Sequence, residues 1–341
     1  MKIYHHIDEF TPLKNAVVTI GTFDGVHVGH QKIISRLLEV ARISGGESVI
    51  LTFFPHPRMI LHPEDINIKL INTIREKAEL LEKLGVDHLI ITPFTRDFSN
   101  LSAESYIKEI LVDRIGTRQI VIGYDHHFGK DRQGGFQDLQ NYSGAYSFGV
   151  EEIPEQDIHD VAVSSTKIRN SLLAGDVKTA SDFLGYPFPL SGKVIKGDQI
   201  GRKMGFPTAN LFIEETYKLI PADGIYAVSV ELNIDQQKDE NPPKESLLTN
   251  IEADVRDVQS QISNLKSKIY TGMAYIGHRP TLNGMTRNIE VNIFDFNLDI
   301  YGAFIRLNFL HFIRDDQKFD SIEELKKQIT KDETTARNLL N

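Results

Sequence analysis

Gly21-Thr22-Phe23-Asp24-Gly25-Val26-His27-Val28-Gly29-His30 joins an apolar run, Ala16–Ile20, to a segment in which Ile33, Leu37 and Val40 recur in helical phase. A strand that ends in glycine and passes directly into a helix is the first turn of a βαβ unit. There, glycines let the backbone approach a phosphate, and the helix start offers free N–H groups and the positive end of its dipole. Gly21, Thr22, Phe23, Asp24 and Gly25 are therefore expected to form a phosphate site. His27 and His30 flank Gly29 at i and i+3, so both imidazoles can donate hydrogen bonds to an oxyanion held there. The stretch is not the G-x-G-x-x-G dinucleotide fingerprint, and no G-x-x-x-x-G-K-[ST] loop occurs. The nearest, Gly123 to Gly129-Lys130-Asp131, has one residue too many and ends in Asp. An H-x-x-H pair can also ligate a metal, but a catalytic zinc site takes a third protein ligand, and none lies at a diagnostic spacing.

Outward from this turn, the first 185 residues alternate near-continuous apolar runs with helical patterns. The runs are Ala16–Ile20, Ser48–Phe54, His88–Thr92 and Gln119–Ile122; the helical patterns cover Ile33–Ile43, Ile74–Leu84 and Ser102–Arg114. Runs without polar alternation suit parallel strands buried on both faces, so an α/β domain with an open, doubly wound parallel sheet is expected. After Leu184-Gly185-Tyr186-Pro187-Phe188-Pro189 the period becomes two. Ile289, Val291 and Ile293 alternate with Glu290, Asn292 and Phe294, and similar strands read at Gly192–Ile195, Ile225–Leu232, Tyr270–Ile276 and Phe304–Phe309. This all-β half predicts a small closed antiparallel barrel with a helical tail from Ile322 to Leu340. Whether the Glu290 face lies inside or outside that barrel, the pattern leaves open. The proline- and glycine-rich stretch 185–192 sets the expected boundary, giving domains 1–185 and 186–341. Residues 235–268 fit neither pattern: a polar run with Pro242-Pro243 leads to Leu248, Ile251, Val255, Val258, Ile262, Leu265 and Ile269, spaced alternately three and four. Such a heptad seam is either a helical excursion laid over the barrel or a helix, 248–269, through which copies form a homo-oligomer.

At 341 residues, 40% hydrophobic and 25% charged, the chain has the make-up of a two-domain globular protein. It contains no cysteine, which excludes disulfides, thiolate zinc sites, iron–sulfur clusters and cysteine nucleophiles, and points to a cytoplasmic setting. The opening Met1-Lys2-Ile3-Tyr4-His5-His6 lacks an apolar signal core, and there is no apolar run of about 18 residues, so neither secretion nor a membrane partner is expected. Thirty-eight basic against 47 acidic side chains, net −9, argue against a nucleic-acid partner and leave small anionic molecules held by local clusters. One cluster runs from Gly192-Lys193 through Lys196-Gly197 and Gly201-Arg202-Lys203 to Gly205-Phe206-Pro207-Thr208-Ala209-Asn210. Such a loop can wrap an anion, with Gly197 and Lys203 as candidate contacts, or simply be solvated. Thr208 and Asn210, two apart on an extended segment, point to one side and are hard oxygen ligands suited to magnesium.

His27-Val28-Gly29-His30 resembles the H-x-G-H motif of the nucleotidyltransferase superfamily. The longer string from Gly21 resembles the bacterial bifunctional riboflavin kinase/FMN adenylyltransferases, also called FAD synthetases. Phe54-Pro55-His56-Pro57, Gly123-Tyr124-Asp125 through Phe128-Gly129-Lys130, and Ser164-Ser165-Thr166-Lys167-Ile168-Arg169 follow in the family's order. The last resembles the second phosphate-binding motif of these transferases, which implies that Ser165, Thr166 and Arg169 hold nucleotide phosphates. On the same resemblance Asp125 contacts the adenosine or positions the motif. Phe54 and Phe128 are flavin contacts, or else core aromatics at strand ends. Gly205 to Asn210 resembles the P-T-A-N motif of the riboflavin kinase domain, and family features continue through Asp223-Gly224-Ile225-Tyr226, Gly277-His278-Arg279-Pro280-Thr281, Glu290, Tyr301-Gly302 and Phe312-Ile313-Arg314. ATP, Mg2+ and the flavins riboflavin, FMN and FAD are thereby implied as cofactors, substrates and products. Thr208 and Asn210 would bind Mg-ATP, Glu290 would be the kinase's general base, and His27, His30 and Arg169 would serve adenylyl transfer. Two departures are local: His126-His127 stand where an aromatic and a basic residue belong, and 235–268 lengthens a loop that is short in the family. The other readings are a flavin- or nucleotide-binding regulator without turnover, and a different H-x-G-H transferase joined to an unrelated barrel.

Overall fold

Each apolar run expected as a strand in the first half is one. The computed structural model that shows this describes residues 1–64, 68–154, 163–197, 200–232, 268–281 and 284–341. Among the described residues, Lys2–Tyr4 (β1), Ala16–Ile20 (β2), Glu47–Phe53 (β3), His88–Thr92 (β4), Thr117–Gly123 (β5) and Gly149–Ile153 (β6) form a sheet in the order β1-β4-β3-β2-β5-β6. Every pairing is parallel. β2 and β4 are buried along their whole length, which is why their sequences carry no polar alternation. Val28–Ser44 (α1) buries Ile34, Leu37 and Ala41, and Ile74–Leu84 (α2) buries Ile74, Ala78 and Leu81. The third expected helix, Ser102–Arg114, is one α turn, Ala103–Ser105, followed by π-helical Tyr106–Ile115, a winding that apolar spacing does not distinguish from α. Its Ile107, Leu111 and Ile115 join Val18, Leu51, Ile90 and Ile120 in one core cluster.

From β2 the sheet grows through β3 and β4 on one side and through β5 and β6 on the other. Strand order therefore reverses between β2 and β5, and the crevice beyond their carboxyl ends is where open parallel sheets bind ligands. Gly21 and its followers leave β2 at that edge, and Tyr124 to Lys130 leave β5 at it.

The second half closes into a barrel of Phe188–Ile195 (β7), Ala209–Phe212 (β8), Gly224–Leu232 (β9), Lys268–Thr281 (β10), Gly284–Ile293 (β11) and Phe304–Arg314 (β12), in the order β10-β11-β8-β7-β12-β9. Phe188, Leu190, Tyr226, Val228, Val230, Ile289, Val291, Leu307 and Phe309 are buried at alternate positions and fill it. On the opposite face Ile225, Ala227 and Met273 pack with Phe294 and Ala336 beneath the helix Ile322–Leu340. β8, only four residues long, was read only as the extended segment carrying Thr208 and Asn210 and not among the barrel strands.

The boundary between the two compact units falls at Ser164/Ser165 rather than at 185/186. The reason is packing: Ala222 N–H donates to the Leu172 carbonyl at 2.9 Å, and a side chain at Gly175 would meet the Phe312 ring at 3.3 Å, so the helices Ser165–Leu173 and Val177–Leu184 belong with the barrel. Nearly all of the heptad seam at 248–269 lies outside the described residues. Its last position, Ile269, is instead a β10 residue paired with Glu231 and exposed.

Candidate active sites

The turn after β2 is strained. Phe23, Gly25 and Val26 have φ of 45°, 89° and 35°, and only at Gly25 does the residue suit that left-handed conformation. Non-glycine residues so placed cost about 1–3 kcal/mol each and persist only where their surroundings dictate it. Here the Gly21 N–H donates to the Leu51 carbonyl at 3.1 Å, Lys77 Nζ to the Thr22 carbonyl at 2.7 Å and Gln31 Nε2 to the Val26 carbonyl at 2.9 Å. The buried Asp24 carboxylate accepts from Ile71 N–H at 2.9 Å.

This turn delivers His27 as the N-cap of α1, its Nδ1 accepting from the His30 N–H at 3.3 Å. An accepting Nδ1 puts the neutral ring's proton on Nε2. The His30 ring stacks on it with centroids 3.6 Å apart, and the Phe23 ring meets His30 edge-on at 5.2 Å. Burial pushes His27 down to about 4, against the pull of the Asp24 and Asp125 charges. Burial, with the charges of His27 and Lys77, holds His30 well below the usual imidazole range. At neutral pH the site thus offers two uncharged imidazoles and the first N–H groups of α1, a set that stabilises charge on a phosphoryl oxygen. His30 Nδ1 is buried with no hydrogen-bond partner. No group of three His, Cys, Asp or Glu among the described residues could hold a metal ion, so among those residues the H-x-x-H pair has no third ligand of the kind zinc takes.

Asp125, exposed just beyond β5, is near enough for its charge to reach His27. Next to it burial pushes His126 down to about 4, and its Nε2 is buried without a partner. Phe54 and Phe128 are both buried, and Phe128 packs with Tyr106 in the core cluster, which is the packing role the sequence left open for it. Ser165, Thr166 and Arg169 begin the helix Ser165–Leu173 in the second unit, whereas Gly21 to Gly25, His27, His30 and Asp125 belong to the first.

In the barrel, β11 sets Glu290 beside Asn210 of β8 and Tyr275 of β10. Thr208 Oγ1 donates to its Oε2 at 2.8 Å and Asn288 Nδ2 to its Oε1 at 2.6 Å. Gly197 and Gly201 are required by close approach: a Cβ at Gly197 would lie 2.3 Å from Asn210 Nδ2, and one at Gly201 2.3 Å from the Phe206 carbonyl and 3.3 Å from Thr208 Oγ1. The chain thereby folds back over Thr208 and Asn210. Lys203 lies in the short helix Ile200–Met204, but its side chain is outside the described residues. Glu290 opens on a cavity of about 660 Å³, walled by Thr208, Tyr275, Asn292 and Arg314 and roofed by Leu325 and Ile329 of the terminal helix. The carboxylate is therefore outside the barrel's packed interior yet inside a half-open cleft. Arg314 grips Asp332 of that helix with Nε at 3.0 Å from both carboxylate oxygens and Nη2 at 2.8 Å.

Sequence reasoning missed Lys77, Asn288 and Asp332. Lys77 alone had a readable signal, because it falls in phase with Ile74, Ala78 and Leu81 on an otherwise apolar stripe.

Residues 10–167 match the FAD synthetase family and residues 184–340 the riboflavin kinase family. A bifunctional riboflavin kinase/FMN adenylyltransferase of Listeria monocytogenes is 34% identical over 98% of this chain and 96% of its own length. Proteins of the same name from Haemophilus influenzae and Bacillus subtilis are 34% and 33% identical over 96% and 97% of this chain, and 96% and 94% of their own. The crystal structure of a protein named as a macrolide-efflux protein, from Streptococcus pneumoniae, superposes with a TM-score of 0.80 at 32% identity, over 99% of this chain and 98% of that one. Among the described residues of the present chain, no helix is long and apolar enough to cross a membrane. With both halves matched in order and full-length relatives above 30% identity, the chain belongs to the bifunctional riboflavin kinase/FMN adenylyltransferase family.

Proposed function

We propose that the barrel transfers the γ-phosphoryl group of ATP to the terminal ribityl hydroxyl of riboflavin, giving FMN and ADP, and that the first unit joins FMN to the AMP moiety of ATP, giving FAD and pyrophosphate. The observation that carries this is Glu290, oriented by Thr208 and Asn288 on the wall of a cavity large enough for a flavin. In phosphoryl transfer the protein's work is positioning and electrostatics, with one group to take the nucleophile's proton. Glu290 accepts that proton as the hydroxyl oxygen bonds to phosphorus, while the two donors keep the carboxylate aimed. Thr208 and Asn210 place hard oxygens beside Glu290, a donor set that fits magnesium held together with ATP phosphates. Such an ion supplies neutralisation of phosphate charge.

In the first unit the FMN phosphate is already anionic and needs no base. His27, through Nε2–H, and His30 donate to the α-phosphoryl group as charge moves toward pyrophosphate, and the α1 N–H groups share the load. Ser165, Thr166 and Arg169 belong to the same reading as phosphate contacts, Gly197 and Lys203 as nucleotide contacts at the kinase site, Phe54 and Phe128 as flavin contacts, and the cytoplasm as the setting. Purified protein given riboflavin, ATP and magnesium should form FMN first and FAD after it when the flavins are resolved by chromatography over time. Absence of both products would remove the reading, and FMN alone would restrict it to the barrel.

A further inference from the structure

Lys77 is 4% exposed on the buried face of α2, and its Nζ hydrogen bonds to the Thr22 carbonyl at 2.7 Å. That carbonyl is its one hydrogen-bond acceptor among the described residues. Taking an ammonium out of water is costly unless it is fully paired, so a lysine that only filled space here would be a poor choice beside an aliphatic chain. Nor does α2 need it: the helix start is closed by Thr73 and Glu76, each side chain accepting from the other residue's N–H. What Lys77 does touch is the residue that leads into the left-handed positions Phe23, Gly25 and Val26, the turn that ends in His27.

The charged and titratable groups facing Lys77 are Asp24 of the turn, whose carboxylate favours the ammonium, and His30 of α1, on which the His27 ring is stacked. On its own helix, Glu76 is turned to the Thr73 cap. The ammonium is therefore near enough for its charge to reach His30 and is hydrogen-bonded to the backbone that leads to both imidazoles.

We propose that Lys77 is a positioning residue for adenylyl transfer, pinning the Thr22 carbonyl and with it the strained turn that presents His27 and His30, while adding a fixed positive charge near the anion site. This rests on the reading of the first unit as an FMN adenylyltransferase. Burial lowers Lys77 to about 8, so the charge is present below that pH and lost above it.

The test uses the full-length protein and measures FAD formation from FMN and Mg-ATP between about pH 6.5 and about pH 10 for the parent, Lys77→Met and Lys77→Arg. Lys77→Met should lower kcat at neutral pH by about 10- to 100-fold, more than it changes KM, and leave riboflavin phosphorylation at the barrel unchanged. Lys77→Arg should keep part of the activity, and the alkaline fall expected in the parent near pH 8 should move upward, because a guanidinium stays charged. Parent-like FAD synthesis by Lys77→Met, or an alkaline limb at the same pH in the parent and Lys77→Arg, would overturn the proposal. Should Lys77→Met fail to fold, the pH profile of Lys77→Arg decides. A parent that forms no FAD removes the functional reading and this inference together, whereas a parent and a Lys77→Met variant that form it equally fast remove the inference alone.

Discussion

At the residue scale, the chemistry depends on side chains whose protonation is set by where they sit. His27 can serve as a neutral donor because burial keeps it uncharged and its N-cap role leaves the proton on Nε2. The same burial carries a cost in acid. An unfolded chain protonates His27 near the ordinary value of about 6.5, the folded one only near 4, so stability present above about pH 6.5 is lost as the pH falls toward 4. The loss from this one group amounts to roughly 3 kcal/mol by pH 4. Urea unfolding of the first unit, followed between about pH 7 and about pH 4.5, should show that fall, and His27→Gln should flatten it. An unchanged slope in His27→Gln would assign the acid sensitivity to other groups. The sequence named His27 and His30 from the glycines around them, but their loss of basicity comes from burial in the folded chain, reinforced at His30 by the Lys77 charge and opposed at His27 by Asp125.

At the element scale, each site is built by one structural element held against another. The Glu290 cleft exists because the terminal helix Ile322–Leu340 spans it, and a buried ion pair ties that helix to β12. The Asp332 side chain is 3% exposed and the Arg314 side chain 20%. Asp332→Ala would strand the guanidinium, and removing one partner of such a pair typically costs about 3–5 kcal/mol. Chemical denaturation of the barrel should register a loss of that order, with riboflavin phosphorylation falling as the roof loosens and FAD formation from supplied FMN retained. A loss under about 1 kcal/mol would mean that apolar contacts alone hold the helix. The helix itself was legible from its periodicity, and so were α2 and β4, whose bounds were read to the residue. Short or half-covered strands were not. β1 and β8 are too short to show a pattern, and β6, half-covered and carrying Glu151 and Glu152, has no apolar run to read.

At the scale of the whole molecule, two units with separate cores carry separate chemistries, and substitutions should sort accordingly. Glu290→Gln should slow riboflavin phosphorylation by about 10² to 10⁴-fold, the worth of a general base, and still convert supplied FMN to FAD. His30→Ala should do the reverse, accumulating FMN, and equal loss of both activities in either variant would show that the assignment of reactions to units is wrong. The amino-acid sequence by itself determined the two architectures, because unbroken apolar runs require a two-sided parallel sheet and period-two runs a closed barrel. It also marked the glycine–histidine turn and the Thr208/Asn210 pair as candidate sites by residue type and spacing, whereas Glu290 entered only through resemblance to the family. Tertiary structure alone decided that Glu290 faces a roofed cleft, since alternation has a period but no inside or outside until the sheet closes. It alone also placed the Lys77 ammonium under the Thr22 carbonyl and carried the helix at Ser165 to the barrel side of the division, because both depend on contacts between residues far apart in the chain.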